Sequence, residues 1–203
     1  LISINILKSL KKNKNEVIVP AFTWNSDVVA VINAGFKPVF VDISLKNLAL
    51  DEELIRKKIS KNTAAIFLTH AMGFVGISNN FVKFLKKKKI FLIEDVCESH
   101  GATFKNKKLG SFGRISNFSF YYAHHMSTIE GGMICTNEKK IYQMARILRS
   151  HGMARESGDY NFEKKMIKKY SKLSPKFIFL YPGYNVRNTE IGACLGINQL
   201  KLL

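Results

Sequence analysis

The residues best suited to chemistry stand just after short apolar segments. Asp95 ends one such segment, and Glu98 follows three residues later. Taken alone, Asp95 fits either a cap on the following turn or a carboxylate that pairs with a protonated ring nitrogen, as a pyridinium cofactor requires. His124 and His125 lie between two later apolar segments. They fit solvated or structural loop residues, a general base at neutral pH, or a metal site, although carboxylate and thiolate partners for a metal are lacking nearby.

Two further residues have both a structural and a functional interpretation. Trp24, the only tryptophan, follows the first apolar segment. It fits a core aromatic or a ring that stacks on a flat heteroaromatic ligand. Ser119 lies in an apolar segment after a glycine-bearing stretch. It fits a cross-strand hydrogen bond or a phosphate ligand.

The elements that must position these residues alternate along the first half of the chain. The apolar segments read as strands without a polar face, so they predict a parallel sheet that helices cover on both sides. Ligands bind at the carboxyl edge of such sheets, where the residues after each strand meet. The expected strands are 16–20, 38–42, 64–70 and 90–95, and the expected helices are 27–34, 51–59 and 80–87.

After Asp95 the pattern changes. Residues 103–113 predict a hairpin, and residues 117–121 and 132–136 predict two more strands. Residues 138–150 have helical spacing of their apolar side chains. The polar, lysine-rich stretch 154–176 is expected to form a mobile loop.

Composition excludes several classes of protein. The 203 residues are 46 % hydrophobic, enough for one domain with a core, and no run or leader indicates a membrane segment or secretion. The formal net charge of +17 comes from scattered lysines without a nucleic-acid-binding motif, so nucleic acid is not an expected partner. The three cysteines, Cys97, Cys135 and Cys194, form no CxxC or CxC pair. They predict neither a metal nor an iron–sulfur site and favour a reduced cytoplasmic protein.

Taken together, these segments follow a known order. The chain resembles the sugar aminotransferase family of fold-type-I pyridoxal phosphate enzymes along nearly its whole length. That resemblance implies an α/β fold, the large domain of such enzymes, with a mostly parallel sheet flanked by helices. Residues 1–203 would be this cofactor-binding domain truncated at both ends, with a phosphate loop before Leu1 and a small domain after Leu203. The matching segments are 17–24, 38–42, 93–102, 110–113, 118–121, 130–133, 149–152 and 183–185.

The resemblance also assigns roles. It implies that Asp95 binds the pyridine nitrogen, that Trp24 stacks on the ring and that Ser119 binds the cofactor phosphate. Asn185 would reach the cofactor phosphate of a neighbouring subunit, because members of the family are typically homodimers with active sites at the interface.

The chain departs from the family pattern at the residue that bonds the cofactor. The family motif is F-S-F-Y-x-x-K, whereas residues 118–124 read FSFYYAH, so His124 replaces the lysine. An imidazole cannot form the covalent link to the cofactor aldehyde, but it can move protons at neutral pH. This exchange resembles the nucleotide-sugar 3-dehydratase branch. Residues 137–193 contain no cysteine, which matches the branch's cluster-free subtype. Glu98 stands where many family aminotransferases have glutamine, beside the cofactor's phenolic oxygen.

The branch implies a reaction and its partners. Pyridoxamine phosphate, held non-covalently, would act on a nucleotide-diphosphate-linked 4-keto-6-deoxy sugar, with His124 as the base. The product would be a 3,6-dideoxy-4-keto sugar for surface polysaccharide, and glutamate would regenerate the pyridoxamine form. Two alternatives stay open: a nucleotide-sugar aminotransferase and an inactive fragment of such an enzyme.

Overall fold

A computed structural model describes residues 1–203, and a six-stranded sheet forms its centre. The strand order is β2-β1-β3-β4-β7-β8, in which all neighbours pair in parallel except β7 and β8, which are antiparallel. The strands are β1 (Glu16–Pro20), β2 (Lys37–Val41), β3 (Thr63–Thr69), β4 (Phe91–Asp95), β7 (Ile115–Ser119) and β8 (Gly132–Cys135), while β5 (Thr103–Phe104) and β6 (Lys107–Lys108) form a separate hairpin. The predicted mostly parallel α/β sheet is confirmed.

Helices cover both faces of the sheet, as the apolar strands require. The helices are α1 (Ile2–Leu10), α2 (Asn25–Asn33), α3 (Glu52–Lys58), α4 (Asn79–Lys88), α5 (Lys139–Arg149), α6 (Tyr160–Lys169) and α7 (Glu190–Leu200). Side chains of α1, α2 and α5 pack with Val17 and Val19 in one core, whereas those of α3 and α4 pack with Ile18 in a second core. Successive residues of β1 therefore face opposite layers, which is the period of two of a strand.

Capping side chains begin α3 and α4, the two helices that pack in the second core, close to the residues where the sequence predicts them. The Asp51 carboxylate accepts hydrogen bonds from the backbone N–H groups of Glu53 and Leu54 at the start of α3. The Ser78 hydroxyl accepts one from Phe81 N–H at the start of α4. These side chains satisfy backbone donors that have no partner within the helix.

The expected mobile loop over 154–176 is wrong, because α6 lies within it. The Asp159 carboxylate accepts from Phe162 N–H and begins the helix, and Met166 packs with Ala154 and Ile178 in a small third core. A single buried residue among exposed lysines leaves too weak a periodic signal to distinguish this helix from a loop.

Three smaller differences concern element boundaries. The hairpin closes at Lys107–Lys108, so residues 109–113 form a loop rather than a strand. Strand β7 begins at Ile115, two residues before the predicted start, and α1 had no predicted counterpart. No helix combines the length and the apolar character needed to span a membrane.

Candidate active site

A cleft of about 2320 Å³ opens at the carboxyl edge of the sheet. It is lined by residues at or just after the ends of β1, β3, β4 and β7, so the strands bring together side chains that are far apart in sequence. Five of the six predicted site residues lie on its wall: Trp24, Asp95, Glu98, Ser119 and His124.

Asp95 lies at the floor of the cleft, where β4 ends. Its side chain is 7 % exposed and accepts a hydrogen bond from Cys97 N–H at 2.9 Å. The carboxylate therefore caps the following turn, as one interpretation of the sequence proposed. A carboxylate has about four acceptor positions, so it retains capacity for a ligand in the cleft.

A second acid, Asp27, lies beside Asp95 and was not identified from the sequence. It is 6 % exposed, and its Oδ2 atom accepts from the Thr23 hydroxyl at 2.5 Å and from the Thr69 hydroxyl at 3.1 Å. Burial, reinforced by the charge of Asp95, raises the pKa of Asp27 to about 7. Its sequence position is uninformative, because an aspartate in the first turn of a helix is common.

Three predicted residues surround this floor. Trp24 stands directly before α2 and is 74 % exposed, so the core interpretation of this tryptophan is wrong. Ser119 is the last residue of β7, and its Oγ accepts from Tyr121 N–H at 3.3 Å. The Glu98 carboxylate accepts from Met72 N–H at 2.7 Å, which fixes it on the cleft wall.

The two neighbouring histidines lie in the loop between β7 and β8. The backbone N–H of His124 donates to Tyr121 C=O at 3.0 Å, and the side chains of His124 and His125 both line the cleft. Behind them lies His100, whose ring centroid is 6.2 Å from that of His124 and 5.8 Å from that of His125. Burial and the two neighbouring histidines lower the pKa of His100. Sequence reasoning missed this third ring, because it stands 24 residues before His124.

Asn185 does not join the other predicted residues. It is exposed and outside the cleft lining, and its Oδ1 atom accepts from Arg187 at 3.2 Å. The proposed contact with a neighbouring subunit's cofactor stays a prediction.

The cleft residues fit the pyridoxal phosphate implied by the resemblance. Asp95 offers a buried carboxylate with spare acceptor positions to a ring nitrogen, the exposed Trp24 indole offers a flat apolar face, and Ser119 offers a hydroxyl to a phosphate. His124, at the lysine position of the motif, supplies an imidazole on the same wall, and no lysine side chain lines the cleft. The donor set suits a cofactor held without a covalent bond.

Known proteins match this chain in sequence. The model of the DegT/DnrJ/EryC1/StrS aminotransferase family matches residues 3–203. A GDP-4-keto-6-deoxy-D-mannose 3-dehydratase from Escherichia coli O55:H7 is 37 % identical over 196 residues, which are 95 % of this chain and 49 % of that protein. A GDP-perosamine synthase from Escherichia coli O157:H7 is 32 % identical over 187 residues, 92 % of this chain and 46 % of that protein.

A solved structure gives the same match in three dimensions. The Escherichia coli GDP-4-keto-6-deoxy-D-mannose-3-dehydratase with bound hydrated PLP superposes with a TM-score of 0.82 at 34 % identity, covering 98 % of this chain and 53 % of that one. The chain thus spans about half the length of the relatives it matches.

Proposed function

The chain belongs to the DegT/DnrJ/EryC1/StrS aminotransferase family, and we propose that the protein is a pyridoxamine phosphate-dependent 3-dehydratase of a nucleotide-linked 4-keto-6-deoxyhexose. The observation that carries the proposal is His124: it occupies the position of the family's cofactor lysine, and it lies on the wall of a cleft whose floor is Asp95. The similarity to a GDP-4-keto-6-deoxy-D-mannose 3-dehydratase supports it.

The cofactor, when bound, supplies an amine for the sugar's C4 ketone and a ring that accepts an electron pair. Asp95 would keep the ring nitrogen protonated, because a buried carboxylate beside it stabilises the positive charge. Trp24 would hold the ring by stacking, and Ser119 would donate its hydroxyl hydrogen to the phosphate.

His124 would act as the mobile base. Its imidazole would remove a proton from the C4′ carbon of the cofactor and then pass a proton to the departing C3 hydroxyl, which leaves as water. A lysine at this position could bond covalently to the aldehyde form of the cofactor, whereas the imidazole of His124 cannot, so the cofactor would be held without a covalent bond in both of its forms. One water would release the remaining enamine and leave the cofactor in its aldehyde form, and a second water would convert the free enamine to the 3,6-dideoxy-4-keto sugar and ammonia.

The wider assignments belong to the same proposal. Glutamate would return the cofactor to its amine form, and Glu98 would lie beside the cofactor's phenolic oxygen. We infer a homodimer in which Asn185 reaches the partner's cofactor, since Asn185 is exposed and lies outside this chain's cleft. Residues 1–203 would be the cofactor-binding large domain of a cytoplasmic enzyme that supplies surface polysaccharide.

Substitution of His124 in the full-length protein tests the proposal. His124→Asn is expected to lower the rate of 3-deoxy sugar formation by about 10²–10⁴-fold, because a positioned base contributes about that factor. His124→Lys should lose dehydration as well, but it should gain a covalent bond to pyridoxal phosphate that borohydride reduction and mass spectrometry detect. His151→Asn is the matched control, since His151 is exposed, lies outside the cleft and has a positive φ that asparagine tolerates.

Two outcomes would contradict the assignment. A stoichiometric cofactor adduct on a lysine of the unsubstituted protein would restore the aminotransferase alternative, as would a 4-amino sugar product. Because His125 also lines the cleft, His125→Asn should be measured in parallel. If His125→Asn were inactive and His124→Asn active, the catalytic role would belong to His125.

A further inference from the structure

Four polar side chains form a connected cluster at the floor of the cleft: Thr23, Asp27, Thr69 and Asp95. Both threonine hydroxyls lie within hydrogen-bonding distance of the same Asp27 oxygen, Oδ2, and they lie 2.9 Å from each other. Thr69 pairs with Asp95 in the register of β3 and β4, which brings the second carboxyl group to the same place.

The two threonine hydroxyls cannot saturate this cluster. Each hydroxyl has one hydrogen to donate, and both are directed to Oδ2 or to each other, so neither donates to Asp27 Oδ1. Oδ1 is therefore the atom on which a proton can reside and be donated onward.

The cluster also lacks a compensating cation. The two carboxyl groups are 6 % and 7 % exposed, and no salt bridge reaches Asp27 or Asp95. The other titratable groups that act on them are the Cys97 thiol, whose pKa is raised by burial and then by both acids, and the His100 imidazole, whose pKa is lowered by burial and the neighbouring histidines although Asp95 opposes the shift. Two buried carboxylates this close are not both ionised at neutral pH without such a cation.

We propose that Asp27 and Asp95 hold a single proton between them, carried on Asp27 Oδ1, and that Asp27 is a positioning residue that donates a hydrogen bond to the Asp95 carboxylate. The pair then bears one negative charge, located on Asp95. The neutral acid beside Asp95 fixes the rotation of its carboxylate, so that a free oxygen is left for a ring nitrogen.

This inference rests on the proposed cofactor site and adds the residue that orients it. Burial and the Asp95 charge raise the pKa of Asp27 to about 7, although the two threonine hydroxyls oppose the shift, so about half of the molecules carry the proton at neutral pH and most carry it below. Asp27→Asn keeps a permanent donor beside Asp95, whereas Asp27→Leu removes it.

The first measurement needs no cofactor. In full-length, cofactor-free protein labelled with ¹³C at the aspartate carboxyl carbons, one buried carboxyl group should be protonated at about pH 6 and titrate near 7. The signal should disappear in Asp27→Asn and persist in Asp42→Asn, an exposed aspartate outside the cleft. A titrating signal that survives in Asp27→Asn, or no protonated aspartate at about pH 6, would overturn the proposal.

The second measurement is the affinity for pyridoxal phosphate at neutral pH, followed by the cofactor's absorbance. Asp27→Asn should bind within about threefold of the unsubstituted protein, whereas Asp27→Leu should bind roughly tenfold or more weakly, because it loses a hydrogen bond to a charged group. Equal binding by both variants would contradict the positioning role. If the protein proved not to dehydrate sugars, the carboxyl titration would be unchanged, so the two proposals can fail separately.

Discussion

Glu94 and Asp95 are adjacent acids on β4, and they differ in where their partners come from. Both are buried, at 0 % and 7 % exposure, but as neighbours on a strand they face opposite sides of the sheet. The chain itself gives Glu94 a complete set of donors, whereas the Asp95 carboxylate accepts a backbone hydrogen bond from Cys97 N–H alone and otherwise lies beside the Asp27 carboxyl group. Glu94 therefore stabilises the fold, whereas the Asp95 carboxylate retains acceptor positions for a ligand.

Four donors surround the Glu94 carboxylate. His70 Nε2 lies 3.1 Å from one oxygen and Gly110 N–H donates to the same oxygen at 3.0 Å, while the N–H groups of Phe112 and Gly113 donate to the other. Burial by itself would raise the pKa of Glu94, but these donors outweigh it and lower the pKa. The carboxylate thereby holds the loop 109–113 against the sheet.

This structural acid indirectly positions the site. The loop that it holds leads directly into β7, which ends at Ser119 and continues to His124. The Glu94 carboxylate, whose hydrogen bonds are all made within the fold, thus fixes the path of the segment that leads to His124. Glu94 lies on one face of β4, and Asp95, which lines the cleft with His124, lies on the other.

The largest expected effect is on stability, from Glu94→Ala. Removing a buried charge and leaving its donors unpaired should lower the free energy of unfolding by roughly 3–5 kcal/mol, measured by urea denaturation of the full-length protein. Since a depressed carboxylate pKa stabilises the fold above the unfolded value near 4.5, the deficit should shrink as the pH falls below that value. Glu53→Ala, an exposed glutamate on α3, should change stability by less than about 0.5 kcal/mol. A similar loss in both variants would remove the distinction.

Asp95→Asn should weaken cofactor binding and leave the stability of the fold unchanged or higher, the reverse of what is expected for Glu94→Ala. Affinity for pyridoxal phosphate should fall by about 2–4 kcal/mol, roughly 30- to 1000-fold, because the ring nitrogen would lose the charged partner proposed for it. Stability should stay the same or rise, since a buried charge beside Asp27 is removed. The measurements are cofactor titration and urea denaturation of the same samples. A stability loss as large as that of Glu94→Ala would make Asp95 a structural acid.

The smallest expected effect is on stability and concerns Gly113, in the loop that Glu94 holds against the sheet. A Cβ atom at Gly113 would lie 2.8 Å from Leu92 C=O and 3.2 Å from the Glu94 carboxylate, so Gly113→Ala should cost about 1–3 kcal/mol of stability. Gly101 has φ +79° and open space around its Cβ position, so Gly101→Ala should cost only about 1 kcal/mol of backbone strain. Thermal unfolding of both variants measures the difference.

Several elements could be predicted because their signals are local. The apolar run Thr63–Thr69 is buried at every residue, and that pattern requires a parallel strand covered on both faces. The position of the ligand edge follows from the strand directions, so Trp24, Asp95 and Glu98 could be placed at one cleft before their geometry was known, whereas Ser119 and His124 were placed there by the family resemblance. Helix α6 could not be predicted, because its burial depends on Ala154 and Ile178 from neighbouring segments.

The sequence by itself determined which side chains end the strands and that an imidazole replaces the family's lysine at residue 124, because both follow from the order of residues. Only the tertiary structure decided that Asp27 meets Thr69 across 42 residues and that His100 lies against His124 and His125. These contacts depend on how strands and loops pack, and no local pattern encodes them. The protonation of buried acids and the pKa of a buried histidine depend in turn on those contacts, since burial and neighbouring charge set them.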